Sequence, residues 1–378
     1  MAAISRNYQS ALGYKFNFIR FLITSRTNKH ERLTHYLSNV RTGSCWFAAN
    51  VFLYILILTS CGNVESSRSE FALGTVCTIT LFEHGKSRVY DDIFNRIREI
   101  ENIMSVNIPA SDINSVNASA GTAPVRVHDD LFNVIESAYY YADLSRGAFD
   151  PSVGPLVSLW GINSANPRIP SRAEIRETLP LINWRNIELD TETKSVFLKQ
   201  RGMSLDLGAI AKGYAADEAA AAARRAGIKR AMIDLGGNIV IIGRRKDKNP
   251  WRVGIQNPDG NRGSVVGLVR TPEASVVTSG IYERFFEQDG TRYHHIFSPS
   301  SGYPADNELA SVTIITQNSM IADALSTAVF ALGYEQGSLL LERLRGVQAV
   351  FVFKDRSIRT TKDANFILTD RSYTVSNP

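Results

Sequence analysis

Cysteine is almost missing from this chain, with three residues at positions 45, 61 and 77 among 378. Three thiols so placed exclude a disulfide framework and a four-thiolate zinc site. Histidine is sparse too, and only four of the six histidines follow Cys61. No apolar run is long enough to span a bilayer: the most apolar stretch, residues 46–60, holds fifteen residues where about 20 are needed. Internal repeats and low-complexity segments are absent. A basic surface is also missing, although the formal net charge is +5. Residues 1–60 carry seven Lys/Arg and one Glu, which leaves 35 basic and 36 acidic residues in the remainder. Nucleic-acid binding thereby loses its main electrostatic support. What is present is 44% apolar and 21% charged residues, a balance that excludes disordered, collagen-like and coiled-coil chains. The length allows a sizeable core, as one large domain or two ordinary ones.

The apolar stretch is centred on Val51-Phe52-Leu53-Tyr54-Ile55-Leu56-Ile57-Leu58 and ends in Leu58-Thr59-Ser60-Cys61. Its length fits a signal-peptide core. Small residues directly before a cysteine resemble a bacterial lipobox, in which the cysteine is diacylated and becomes the first mature residue. Residues 1–60 are therefore expected to be leader, Cys61 the lipidation site, and residues 61–69 a polar tether. The segment before the apolar run is too long for an ordinary signal, which places the expected start of synthesis near Val40. The implied location is the cell envelope, anchored by lipid and facing the periplasm or the exterior.

From residue 69 the pattern mixes strands and helices. Strand character covers Phe71 to Phe82, and Ile93, Ile97, Ile100 and Met104 share one face of a helix over 87–104. A second helix is predicted from Asp129, as N-cap, to Ser145, with a short one at 171–178. Residues 203–207 read as a strand feeding an Ala-rich helix over 210–226. Strands follow near 230–234, 238–243, 251–256, 264–270, 274–279, 292–298 and 310–316. Helices from Ser319 to Leu332 and over 335–345 precede a strand at 348–353. Many short neighbouring strands with Gly and Asp-Gly turns predict an α+β fold, a single domain over residues 70–370 with mixed, largely antiparallel sheet and packed helices.

Five segments carry chemistry. In Leu205-Asp206-Leu207-Gly208-Ala209-Ile210-Ala211-Lys212-Gly213, a carboxylate, two glycines and a first-turn lysine suit a phosphate or nucleotide. By itself the segment reads more simply as a strand–turn–helix with an exposed lysine. Asp234-Leu235-Gly236-Gly237-Asn238 repeats the Asp-plus-glycine arrangement, a weak turn signal. Gly147-Ala148-Phe149-Asp150-Pro151 fixes a loop bearing Asp150. Thr278-Ser279-Gly280-Ile281-Tyr282-Glu283-Arg284 precedes Tyr293-His294-His295-Ile296-Phe297-Ser298-Pro299, where adjacent histidines on a strand face opposite ways, so at most one enters a site. Asp323 and Thr327 lie four apart on one helical face. Their hard oxygens suit Mg²⁺ held with substrate phosphates, or are simply a helix-start Asp and a core Thr.

Taken in order, from about residue 70 to 365, these segments resemble the ApbE family of FAD:protein FMN transferases. The resemblance implies an exported, Mg²⁺-dependent transferase that cleaves FAD, attaches FMN to a Thr or Ser hydroxyl of an acceptor protein and releases AMP. It places Leu73, Asn107, Ala148, Phe149, Asp150, Asp206, Lys212 and Phe297 against FAD. It puts the Ala209 carbonyl, Asp323 and Thr327 on the metal, with Ser326 as an added ligand. His295 is the implied base for the acceptor hydroxyl, and Asp323 the second catalytic residue.

Three positions depart from the family pattern. Leu73 replaces a Met and Ser298 an Asp, while Asn107 stands where many members carry an aromatic. An Asn cannot stack on a ring system, a loss of roughly 1–3 kcal/mol on base-stacking magnitudes. Weaker FAD retention and faster turnover follow. Two alternatives share the same residues: a Mg²⁺-dependent FAD pyrophosphatase, with water as acceptor, and a non-catalytic FAD-binding lipoprotein. The latter would need neither metal nor base.

Overall fold

The computed structural model describes residues 66–83, 87–162 and 164–376. The expected leader and lipidation site Cys61 lie outside these residues. Everything described falls in one unit, Asn63–Pro378.

The chain opens with a hairpin, β1 (Ser66–Ala72) and β2 (Thr75–Leu81), and continues through α1 (Ser87–Met104), α2 (Asp112–Ala118), β3 (Val125–Arg126) and α3 (Asp129–Leu144). Next come α4 (Gly154–Trp160), α5 (Arg172–Thr178), β4 (Ile187–Asp190), β5 (Ser195–Leu198) and α6 (Ala211–Arg225). Strands β6 (Ala231–Leu235), β7 (Asn238–Ile242), β8 (Trp251–Gln256), β9 (Val265–Thr271) and β10 (Ser275–Gly280) lead to the hairpin β11 (Phe285–Gln288) and β12 (Thr291–His294). The last part is β13 (Leu309–Thr316), α7 (Ser319–Glu342), β14 (Gln348–Phe353), β15 (Ser357–Thr360), β16 (Phe366–Leu368) and β17 (Thr374–Ser376).

A nine-stranded sheet in the order β1-β2-β6-β7-β10-β13-β14-β15-β17 forms the centre. Its pairings are antiparallel except β15 with β17. Strand β14 shows how the sheet is covered on both faces. Its Ala349, Phe351 and Phe353 enter the core beneath the helices, whereas Val350 and Val352 enter a second core against β8 and β9. A third core joins Trp160 of α4 and Ile175 of α5 to Phe297 and the β11–β12 hairpin. The α+β, largely antiparallel expectation therefore holds.

Local differences have local causes. The single strand expected over Phe71 to Phe82 is a hairpin, turned at Leu73 and Gly74 with φ of 53° and 67°. His128, not Asp129, caps α3: its backbone is extended and its Nδ1 accepts from the Asp130 N–H at 3.1 Å. Residues 203–207 form no strand beyond one bridge between Ser204 and Val153. Asn117 takes their place in a ladder, accepting from Leu205 N at 2.7 Å and donating to Leu205 O at 3.1 Å. The strand expected over 292–298 stops at His294, and β11 had no separate signal. Gly333, at φ 76°, breaks α7 where two helices are expected.

Candidate active site

The site is built where the first turns of α6 and α7 meet. Both helices present small residues at this crossing, and a side chain on Gly213 would lie 2.4 Å from the Ser319 carbonyl oxygen. The contact is reinforced in both directions. Asp217 of α6 accepts from Ser319 N and Met320 N, each at 2.9 Å, and so caps α7. Asp323 of α7 accepts from Gly213 N at 2.9 Å through Oδ2. Burial raises the Asp217 carboxyl above its ordinary range, against the opposing pull of these two N–H groups.

Within a regular helix the Gly213 N–H would bond to the Ala209 carbonyl four residues earlier. Because that N–H goes to Asp323, no hydrogen bond among the described residues reaches the Ala209 carbonyl. Asp323 itself is 3% exposed, and its Oδ1 faces the Lys212 ammonium at 3.7 Å. Lys212 also donates to the Gly208 carbonyl at 3.0 Å. One turn along α7, Ser326 donates to the Asp323 carbonyl at 2.9 Å. Ser279, at the end of β10, lies 2.8 Å from the Ser326 hydroxyl and 3.2 Å from that of Thr327. One carboxylate oxygen, one unbonded carbonyl and a hydroxyl group are hard donors in a number that suits Mg²⁺, which keeps waters and substrate phosphates as its other ligands. Among the described residues no cluster of three His, Cys, Asp or Glu side chains occurs, so the donor set does not fit a zinc-type centre.

Asp206 precedes this turn, and its Oδ1 accepts from Gly208 N at 2.8 Å. Burial raises its carboxyl, while Gly208, Arg284 and Lys212 oppose the rise. The two histidines diverge as expected. His294 directs Nε2 at the Ala305 carbonyl at 3.1 Å and packs edge-on against Phe330, and burial lowers its pKa to about 4. His295 places Nδ1 3.1 Å from the Arg284 carbonyl. Desolvation first, then the Arg284 charge, lowers its pKa to about 3. A carbonyl accepts only, so Nδ1 carries the proton and Nε2 keeps its lone pair.

The residues expected to hold FAD are less uniform. Leu73 sits in the β1–β2 turn, its N–H held by Glu101 Oε1 at 2.8 Å. Asn107 is exposed in the turn after α1. Ala148 is half-buried, and Phe149 belongs to the main core. Asp150 spends both oxygens internally, accepting from Ser152 N at 2.8 Å, Ser152 Oγ at 2.6 Å and Trp184 N at 3.1 Å. Its carboxylate thus shapes the loop, which joins the site through Asp206 N donating to Pro151 O at 2.9 Å. Phe297 is buried in the third core, 5.8 Å from the Trp160 ring. The structure thus brings together Asp206, Ala209, Lys212, Asp323, Ser326 and Thr327, and links His295 to them through Arg284. It does not bring the Asn107 or Phe297 side chains into that hydrogen-bonded group. Ser279 and Arg284 join the site without having been singled out. Their segment, Thr278 to Arg284, had drawn notice, but pairing Ser279 with α7 requires the fold.

Comparison with known proteins gives one consistent picture. The sequence profile of the ApbE family matches residues 73–351. An FAD:protein FMN transferase of Treponema pallidum is 37% identical over 330 residues, 80% of this chain and 91% of that protein. One from Klebsiella pneumoniae is 39% identical over 292 residues, 77% of this chain and 90% of its own length. Among solved structures, an ApbE protein from Thermotoga maritima superposes with a TM-score of 0.73 at 34% identity, covering 79% of this chain and 97% of its own. The flavin transferase ApbE of Vibrio cholerae gives 0.70 at 27% identity, covering 81% and 96%.

Proposed function

This chain belongs to the ApbE family, and on that premise we propose that it is a Mg²⁺-dependent FAD:protein FMN transferase acting on an acceptor protein in the cell envelope. One observation carries the reading: Asp323 takes the Gly213 N–H, which leaves the Ala209 carbonyl without a hydrogen bond, while its other carboxylate oxygen faces Lys212. Storage of FAD without chemistry needs no such donor set.

Asp323, the Ala209 carbonyl and Thr327 would hold Mg²⁺, with Ser326 and Ser279 fixing the Thr327 side. Bound there, the ion would supply Lewis-acid charge to the phosphoanhydride. The chain's own groups do the rest. Lys212, at the start of α6, offers a cation and helix N–H groups to the diphosphate. His295 is neutral at physiological pH and presents Nε2 as the acceptor for the proton of the attacking hydroxyl. The acceptor oxygen forms a bond to the FMN phosphorus, the bridging P–O bond breaks, the proton passes to His295, and AMP leaves.

The envelope location and lipid anchor rest on the segment order of the leader, the cysteine and the polar stretch after it, of whose expected tether over 61–69 residues 66–69 belong instead to β1. The decisive experiment incubates the protein with FAD, Mg²⁺ and an exported protein bearing an exposed Thr or Ser. Flavin fluorescence on the denatured acceptor supports transfer. FMN and AMP in solution without labelled acceptor indicate the pyrophosphatase, a reading favoured only by the exposed Asn107. Unchanged FAD refutes both.

A further inference from the structure

Arg284 sits immediately before β11 and is paired across the hairpin with His295, whose backbone N–H donates to the Arg284 carbonyl at 3.1 Å. The ring Nδ1 of His295 reaches the same oxygen at 3.1 Å. Residues directly opposite in an antiparallel pair send their side chains to the same face. The guanidinium therefore leaves the hairpin on the His295 side, and it extends to the β1–β2 turn. There a side chain on Gly74 would meet Arg284 Nη2 at 3.5 Å. Gly74 follows Leu73, so the cation spans the gap between the turn expected to cover FAD and the base.

Three further observations define its setting. Among the described residues no carboxylate lies within ion-pair distance of Arg284, although sixteen such pairs occur elsewhere. The Asp206 carboxyl feels Arg284 and Lys212 as its two cations, which puts both within charge range of the same carboxylate. Glu283, the adjacent acid, is shared among Arg262, Lys212 and Arg284 without closing on any of them. A half-buried guanidinium with no fixed acidic partner, beside a lysine already assigned to phosphate, has the planar donor fork that suits a diphosphate.

We propose that Arg284 is a second phosphate-binding residue of the active site, whose guanidinium grips the FAD diphosphate together with Lys212. This rests on the transferase reading above. During transfer it would stay on the phosphoryl oxygens while the bridging bond to AMP breaks. A second consequence is electrostatic. Burial is the main cause that disfavours the protonated form of His295, the charges of Arg284, Lys212 and His294 add to it, and the hydrogen bond to the Arg284 carbonyl opposes them.

The test uses the intact protein with FAD and Mg²⁺, comparing wild type with Arg284→Met and Arg284→Lys. Loss of FAD consumption in the wild type would overturn the transferase reading itself. With an active wild type, Arg284→Met should raise the KM for FAD at least tenfold, and Arg284→Lys, which keeps the charge but not the planar fork, should fall between the two. The acid limb of kcat/KM should also move to higher pH in Arg284→Met and stay in place in Arg284→Lys. A KM within twofold of wild type in Arg284→Met overturns the proposal.

Discussion

Asp323 holds two tasks in one carboxylate, and substitution can separate them. Oδ2 accepts the buried Gly213 N–H at 2.9 Å, whereas Oδ1 faces Lys212. Removing the side chain in Asp323→Ala strands a buried donor. Hydrogen bonds to charged groups contribute about 1.5–3 kcal/mol, and an orphaned buried donor costs about 1–3 kcal/mol. A loss of roughly 2–3 kcal/mol follows, which for a domain of this size lowers Tm by roughly 3–5 °C. Asp323→Asn keeps an oxygen for Gly213 but removes the negative charge. Its stability should stay within about 1 kcal/mol of wild type, while FAD cleavage falls to background because a neutral amide is a poor Mg²⁺ ligand. The assays are urea denaturation and AMP release from FAD with Mg²⁺. An Asn variant with wild-type turnover would refute the charge requirement. An Ala variant as stable as wild type would show that the Gly213 bond does not hold the helices together.

Other expectations are equally direct. Because His295 titrates near pH 3, its neutral form is present well below neutrality, so the rate profile should show no acid limb between pH 5 and 8 attributable to it; a limb near pH 6.5 would contradict this. Both His294 and His295 are held below the unfolded value, so the unfolded chain binds more protons as pH falls. Stability should accordingly be full above about pH 6.5 and decline toward pH 4, and His294→Gln should flatten the decline in urea midpoints. Gly213→Ala drives a methyl to 2.4 Å from the Ser319 oxygen and should cost at least about 1–3 kcal/mol, read as a lowered Tm together with lost turnover. Asn107→Tyr should tighten FAD by roughly 1–3 kcal/mol in a flavin-quenching titration, and an unchanged Kd would dismiss stacking at that turn.

How much of this was legible in the sequence depended on how local the cause was. The amphipathic spacing of Ile93, Ile97, Ile100 and Met104 marks α1 because helix burial repeats with the turn, and the bounds agree with Ser87–Met104. The Ala-rich α6 and the alternating β14 are readable for the same reason. Residues 203–207 misled because an apolar alternation looks the same whether its backbone pairs with a strand or with the Asn117 amide. The Asp150 carboxylate resembled a free ligand in sequence, since its partner Trp184 is remote along the chain. The Gly236-Gly237 pair turned out to be a turn requirement: both glycines have positive φ, and Thr75 lies where a side chain on Gly236 would go. Ser279 and Arg284 were out of reach because their partners come from α7, the residue after β12 and the β1–β2 turn.

The exchange of caps between α6 and α7 has a consequence for how this site can evolve. Asp217 serves the start of α7, and Asp323 serves the start of α6. A change at either position alone leaves the other helix with an unmet donor, so the two should behave as a strongly non-additive pair in a double-mutant cycle. The inheritance of the site is thus shared between two segments far apart in the chain, and neither can be replaced as a module without bringing its counterpart with it.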